Sequence, residues 1–311
     1  MALYYSKDEE RCKINSIGKY FSDERICDIF CKRKIRFTPP KDFNDPLEFK
    51  PTLKGNNIYD GYIFQGRHYP SKAEFISHAL IAHYSEYYGV LSLTKVPDSF
   101  YMWSMYANGH KGFYLGFKDN FNSQRSLIDG NIVYPIREVR YTEDYSLKIE
   151  VNFIDQTFVD EFAKSNYDKI LFMKTNRWVK EEEYRLVRPL KFKEDSLEKS
   201  LFELDLTYVT DVIFGASMSV ENKLKIEKQC DIENKNISFH QAMIIKDEKD
   251  DINELGKVVI WGIPQDIPWE KLIEMNALHF CTDLEKLKGN GINISKLEEL
   301  PYSPERVNLK K

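Results

Sequence analysis

The chain has 311 residues, of which 42% are hydrophobic, 14% aromatic and 30% charged, with a formal charge of -4. That apolar share can offset the entropy of ordering the chain, which excludes an intrinsically disordered protein, and the near-neutral balance excludes the general basic footprint of a nucleic-acid binder. No apolar run approaches the roughly 20 residues that span a bilayer, and the opening MALYYSKDEERCK lacks the basic-then-apolar pattern of a secretory leader.

Residues 1–14 read as a charged lead-in. From Asp23 to Lys32, Ile26, Ile29 and Phe30 recur at helical spacing behind a Ser22 or Asp23 cap, which predicts a helix. Ile35 and Phe37 begin a short strand that Pro39 and Pro40 end. Asp42-Phe43-Asn44-Asp45-Pro46 predicts a turn, because Asn and Asp bond back to the backbone and Pro fixes φ. The Gly- and aromatic-rich residues 51–70 predict an irregular excursion, and a helix follows from Ser71 to Tyr87 with Phe75, Ile76, Leu80 and Ile81 on one side. Val90–Leu93 reads as a buried strand. Residues 100–117 predict a helix that turns at Gly109 and Gly112 and continues as a strand.

Further along, residues 131–141 suggest a strand, and 152–176 a helix with Phe153, Phe158, Phe162 and Ile170 inward. Strands are predicted at 184–192, where Pro189 favours an edge, at 206–214 and at 237–245, with a helix at 220–229. The charged residues 246–255 read as a linker. Beyond it, a strand at 258–261 and a helix at 269–275 suggest a packed C-terminal extension. Strands and helices mix without strict βαβ alternation, so the class is α+β, with a mixed, mainly antiparallel sheet core and flanking helices. The organisation expected is a core domain over 15–245, followed by the linker and extension at 246–311.

The five cysteines, Cys12, Cys27, Cys31, Cys230 and Cys281, are odd in number and scattered, which suits a reducing cytoplasm. Cys27 and Cys31 can share a helix face, but no second pair lies nearby, and no structural metal is expected.

Three segments carry candidate chemistry. In the run from Lys174 to Arg185, a strand starting near Lys180 projects Glu181, Glu183 and Arg185 from one face. Two carboxylates beside a guanidinium can perturb one Glu, orient a ligand hydroxyl or bind a phosphate; a solvated charge run is the plain alternative. In the second segment, Trp103 and Tyr106 at i, i+3 can form a stacking wall, and Gly109 and Gly112 allow close approach of a ligand to the backbone. His110 between those glycines is the best-placed group for acid–base work near neutrality, against the alternatives of a backbone-bonded turn and plain core packing. The third is Asn44-Asp45-Pro46 with Glu48, where Asp45 can hold a metal, cap a helix or reverse the chain. His78 and His83 are five apart, so they miss the spacing of a zinc-protease pair, and no phosphate-binding loop or nucleophile elbow is present.

Taken together and in order, Lys19-Tyr20, Phe43–Pro46, Met102–Phe113 and Trp178–Arg185 resemble the uncharacterised, largely bacterial family catalogued as domain of unknown function 2971, over about residues 15–245. Met105 departs from it, standing where the family often has His, and the excursion around 51–87 looks inserted. More distantly, a first strand with a polar–aromatic pair and a late strand with Glu-x-Glu is similar to the ADP-ribosyltransferase superfamily. The early His or Arg of that superfamily has its nearest counterpart here in Lys19-Tyr20.

That second resemblance implies NAD as substrate, Glu183 as the catalytic carboxylate, Glu181 as its companion and Tyr20 as a cofactor-facing residue. Trp103 and Tyr106 would then stack on nicotinamide, Arg185 would contact pyrophosphate and His110 would serve as an acid–base group. The implied protein is an ADP-ribosyltransferase or NAD glycohydrolase, a bacterial toxin or phage-defence effector, acting in the cytoplasm on a macromolecular acceptor and away from membranes. Two other readings compete. One is a metal-dependent hydrolase or nuclease using Asp45, Glu48, Glu181 and Glu183; the other is a non-catalytic module that binds a small ligand or a protein.

Overall fold

The computed structural model describes residue 14 and residues 16–150, 154–190, 198–233, 236–245 and 257–262. The principal strands are β1 (Ile17–Phe21), β2 (Tyr88–Thr94), β3 (Phe113–Phe117), β4 (Ile136–Glu138), β5 (Glu183–Pro189), β6 (Val209–Phe214), β7 (Ser238–Ile245) and β8 (Lys257–Gly262). The α-helices are α1 (Lys72–Tyr87), α2 (Phe100–Tyr106), α3 (Gln156–Ser165), α4 (Tyr167–Leu171) and α5 (Val220–Glu233). The class is α+β, and its pairings are mainly antiparallel.

The chain divides into two compact units. The first holds the described residues before Lys32, then Pro97–Phe117, then those from Val209 onward; the second holds Lys32–Val96 and Lys118–Tyr208. In the first unit the strands pair in the order β8-β7-β6-β3-β1, and only β6 and β7 run parallel. All five residues of β3 are buried, as an unbroken apolar run with a neighbour on each side requires. Its core gathers Tyr20, Met102, Trp103, Tyr114, Ile213, Ala242 and Ile260. Tyr20 sets its ring edge against Trp103 at 5.0 Å and Tyr114 at 5.1 Å, the quadrupole-favoured arrangement. Gly112 is required where the chain returns from α2 into β3, because a Cβ there would lie 1.9 Å from the Phe21 carbonyl oxygen.

In the second unit β5 pairs antiparallel with both β2 and β4, and packs Val187 into a separate core with Val90, Leu80, Tyr84, Ile170 and Phe172. Helix α1 starts where Ser71 accepts a hydrogen bond from the Glu74 amide at 3.1 Å. α3 starts where Asp155 accepts one from Phe158 at 2.7 Å. The Tyr84 hydroxyl ties the two helices by donating to the Ala163 carbonyl at 2.6 Å.

Several elements differ from expectation. The helix read at 23–32 is a short 3-10 turn, Asp23–Arg25, followed by a π-helical turn, Cys27–Cys31, that buries Ile29 and Phe30. The helix read at 152–176 is broken at Asn166 into α3 and α4, and Met173–Thr175 is a strand paired in parallel with Arg140–Thr142. Residues 51–70 are more regular than composition suggests. Thr52–Lys54 pairs with Ser146–Lys148, and Tyr62–Phe64 forms a hairpin with Arg67–Tyr69 through Gln65 and Gly66, both at positive φ. Residues 206–208 form a 3-10 turn ahead of β6. The linker at 246–255, the helix at 269–275 and Phe153 lie outside the described residues.

Candidate functional site

In the second unit, the run that carries Glu181, Glu183 and Arg185 comes out of the strand Met173–Thr175 into a 3-10 turn, Asn176–Glu181. Glu182 then adopts a left-handed conformation at φ 43° and β5 begins. Glu181 is therefore not on the strand. The left-handed step nevertheless turns both Glu181 and Glu183 inward, each 3% exposed, while Glu182 faces solvent. The solvated charge run does not occur; the residues are buried.

They meet Glu48, which the metal-dependent reading grouped with both glutamates, and Lys174, the first residue of the run. Arg185, with no exposed surface, donates from Nε to Glu183 Oε1 at 2.7 Å and from Nη2 to Glu183 Oε2 at 3.0 Å. Nη1 donates to the Leu171 carbonyl at 2.7 Å, Nη2 also reaches Glu48, and the guanidinium lies 4.8 Å over the Phe49 ring. Lys174 donates to Glu181 at 2.8 Å and Glu183 at 3.2 Å, and pairs with Glu48 at 3.4 Å. Three carboxylates thus share two cations.

The proton affinities follow. Burial alone would raise the Glu183 carboxyl, but Arg185 and then Lys174 overcome it and bring its pKa down to about 2. Glu48 goes the other way, because burial outweighs Arg185 and the carboxylates beside it oppose its ionisation. Lys174 is raised: its burial is outweighed by Glu183, Glu48 and Glu181. Tyr141, whose hydroxyl accepts the Glu183 amide at 2.9 Å, is pushed up to about 12, chiefly by burial.

The Asp45 turn belongs to the same neighbourhood. The Trp178 indole donates to Asp45 at 2.9 Å, and Asp45 accepts the Leu47 amide at 2.9 Å, so the turn delivers Glu48 one residue later. Asp45 is thereby occupied in reversing the chain. The signal for Glu48 was its place behind that turn; the signal for Lys174 was slight, since a lone Lys before a loop is ordinary.

In the first unit, the residues read as a stacking wall are largely core. Trp103 has no exposed surface and donates from its indole to the Pro97 carbonyl at 2.8 Å. Tyr20 is buried, Tyr106 is half-buried, and both pack into the same core. His110 is 6% exposed and sits at φ 67°, at the end of a left-handed run with Asn108 and Gly109. For a side chain with a Cβ that conformation costs about 1–3 kcal/mol. Its amide donates to the Trp103 carbonyl at 3.2 Å, and its carbonyl accepts the Ser217 amide at 2.9 Å, which holds the strained residue in place. The imidazole lies 4.8 Å from the Phe100 ring and 6.4 Å from Trp103, nearly parallel to the latter. Its Nε2 is 3.1 Å from the Ser104 hydroxyl, and burial holds its pKa below the ordinary value.

Residues 102–186 match the family described as protein of unknown function (DUF2971). Over that stretch the chain is similar to this family. The DUF2971 segment contains most of α2, His110, Lys174 and the Trp178–Arg185 run, and it leaves Asp45 and Glu48 outside. No curated protein and no solved structure matches the chain.

The candidate residues thus fall into two sets. Glu181, Glu183 and Arg185 are together in the second unit, whereas Tyr20, Trp103, Tyr106 and His110 belong to the first. Among the described residues, no group of three or more His, Cys, Asp or Glu side chains is arranged to hold a metal ion. Likewise, no described helix is long and apolar enough to cross a membrane. The charged set can bias a buried site toward negative charge, and the aromatic set can offer a neutral imidazole.

Proposed function

We propose that the chain cleaves the bond between nicotinamide and ribose in NAD, as an ADP-ribosyltransferase or NAD glycohydrolase. One observation carries the reading: the carboxylates of Glu48, Glu181 and Glu183 gather about Lys174 and Arg185 at a buried position. A buried carboxylate favours a cation beside it, and the ribosyl group becomes an oxocarbenium-like cation as nicotinamide leaves. The C–N bonding pair departs with nicotinamide, which leaves neutral. Water or an acceptor's nucleophile then bonds to the ribosyl carbon and gives up a proton.

Within this reading, Glu181 is the carboxylate that meets the substrate. It ends the 3-10 turn whose Val179 is 49% exposed, and that turn must shift to admit NAD. Glu183, bonded twice to Arg185 and once to Lys174, sets the position of both cations. Unrestrained turnover of this kind drains NAD, the chemistry of a toxin or of defence against phage.

The test is nicotinamide release from NAD by wild type, Glu181→Gln and Glu183→Gln, with folding of each followed by circular dichroism. Release by wild type and a loss of about a hundredfold or more in folded Glu181→Gln is the expected result, the range of lost transition-state stabilisation. Wild-type turnover in Glu181→Gln, or none in wild type, overturns the reading. Activity that disappears with a chelator would point to metal-dependent hydrolysis instead.

A further inference from the structure

The turn Asn176–Glu181 borders the charged cluster, with Lys174 Nζ 5.1 Å from the centre of the Trp178 ring and 2.8 Å from the Glu181 carboxylate. Its own anchorage is unlike that of its neighbours. Asn176, Arg177, Val179 and Lys180 are exposed, Trp178 is half-buried, and Glu181 is the one buried residue of the turn. Apolar burial is what usually fixes an element in place, and this turn has little of it.

What holds it is polar. The Trp178 indole donates to Asp45 at 2.9 Å, the Thr94 hydroxyl donates to the Glu181 carbonyl at 2.7 Å, and Lys174 donates to the Glu181 carboxylate. Water can replace each of these bonds once the groups are exposed, so their net contribution is small. Glu182, at φ 43° and ψ 52°, is the left-handed step between the turn and β5, a conformation that a residue with a Cβ is relieved to leave.

Movement of the turn would also spare the rest of the cluster. Lys174 keeps Glu183 and Glu48 when Glu181 departs, and Arg185 keeps its two bonds to Glu183. β5 itself pairs with β2 along its whole length and cannot follow without unfolding.

We propose that residues 176–182 form a strap that opens onto the Lys174 cluster, hinged at Glu182 and latched by the Trp178–Asp45 hydrogen bond. The strap governs access to Glu181, and its bearing on turnover rests on the reading above. Its test needs no NAD, so the two can fail separately.

The experiment is residue-resolved amide hydrogen exchange of the full chain by NMR, corrected for intrinsic rates. Wild type is set beside Trp178→Phe, which keeps a ring next to Lys174 and removes the indole donor. The reporter is the Glu182 amide, which donates to the Val179 carbonyl at 3.2 Å within the strap. The reference is the set of β5 amides bonded to β2. In wild type the Glu182 amide should exchange at least a hundredfold faster than the reference. Trp178→Phe should speed it about tenfold more, the worth of a hydrogen bond to a carboxylate, with the reference unchanged. Equal rates in wild type overturn the proposal, because the strap would then open only with the whole unit. So does a folded Trp178→Phe that leaves Glu182 at the wild-type rate or speeds the reference equally. The wild-type comparison holds if the variant fails to fold.

Discussion

Arg185 shows how much one buried charge can organise. Its guanidinium serves Glu183 twice, Glu48 and the Leu171 carbonyl, and no part of it reaches solvent. Arg185→Met leaves those buried carboxylates with Lys174 as their remaining cation, and the expected loss is about 3–5 kcal/mol in urea unfolding. Arg185→Lys should recover only part of it, because an ammonium cannot present the planar fork. The two carboxylates that it binds respond oppositely to pH. Glu183 has a folded pKa of about 2, below its ordinary 4.5, so its stabilisation is full above pH 4.5 and is lost as pH falls toward 2. Glu48 is raised above 4.5, so its contribution is full below that pH and is lost as pH rises through its folded value. Glu48→Gln should therefore gain on wild type as pH rises above 4.5, read from urea midpoints at a series of pH values. The sequence made Glu181, Glu183 and Arg185 legible as a group, because three charges two residues apart stand out. It did not reveal their burial, which depends on Lys174 and on Glu48, 137 positions from its Arg185 partner.

At the scale of elements, local chemistry was most readable where a single turn decides the outcome. Ser71 stands at the head of the helix read from the apolar spacing of Phe75, Ile76, Leu80 and Ile81, and its hydroxyl accepts the Glu74 amide. Ser71→Ala should cost about 1 kcal/mol in thermal or urea unfolding, with Asp155→Ala similar at α3. Where the pattern was apolar but the cap sat inside it, the reading failed. Phe158, Phe162 and Ile170 keep a helical spacing straight through Asn166, yet the chain breaks there, and α4 ends in a strand that pairs with Arg140–Thr142. Glu182 is a similar case, since nothing in Glu181-Glu182-Glu183 announces which of the three turns left-handed. Once it does, the residues on either side both point inward.

At the scale of the whole chain, the α+β class and the mainly antiparallel pairing followed from the order of elements, whereas the division into two discontinuous units did not. A boundary is legible when composition shifts across it, and neither Cys31–Lys32 nor Phe117–Lys118 has such a shift. The DUF2971 segment is not a structural unit either. β5 lies mostly within it, but its partner β2, the Glu48 that Arg185 binds and the Asp45 that Trp178 binds are all outside. A fragment of residues 102–186 should accordingly lack a cooperative thermal transition by circular dichroism, while the full chain shows one.

The interleaving of the two units also sets an order of completion during synthesis. β1 is the first of the described strands, yet its partner β3 follows only after α1, β2 and α2, and β6 comes after every described strand of the second unit. Translation proceeds at about 5–20 residues per second, so β1 and β3 wait on the order of ten seconds for β6. The second unit has all of its residues by Tyr208, whereas the first still needs β6, β7 and β8. The unit that begins the chain is the last to be finished, and until then the edge of β3 that receives β6 is the surface a nascent-chain chaperone would have reason to cover.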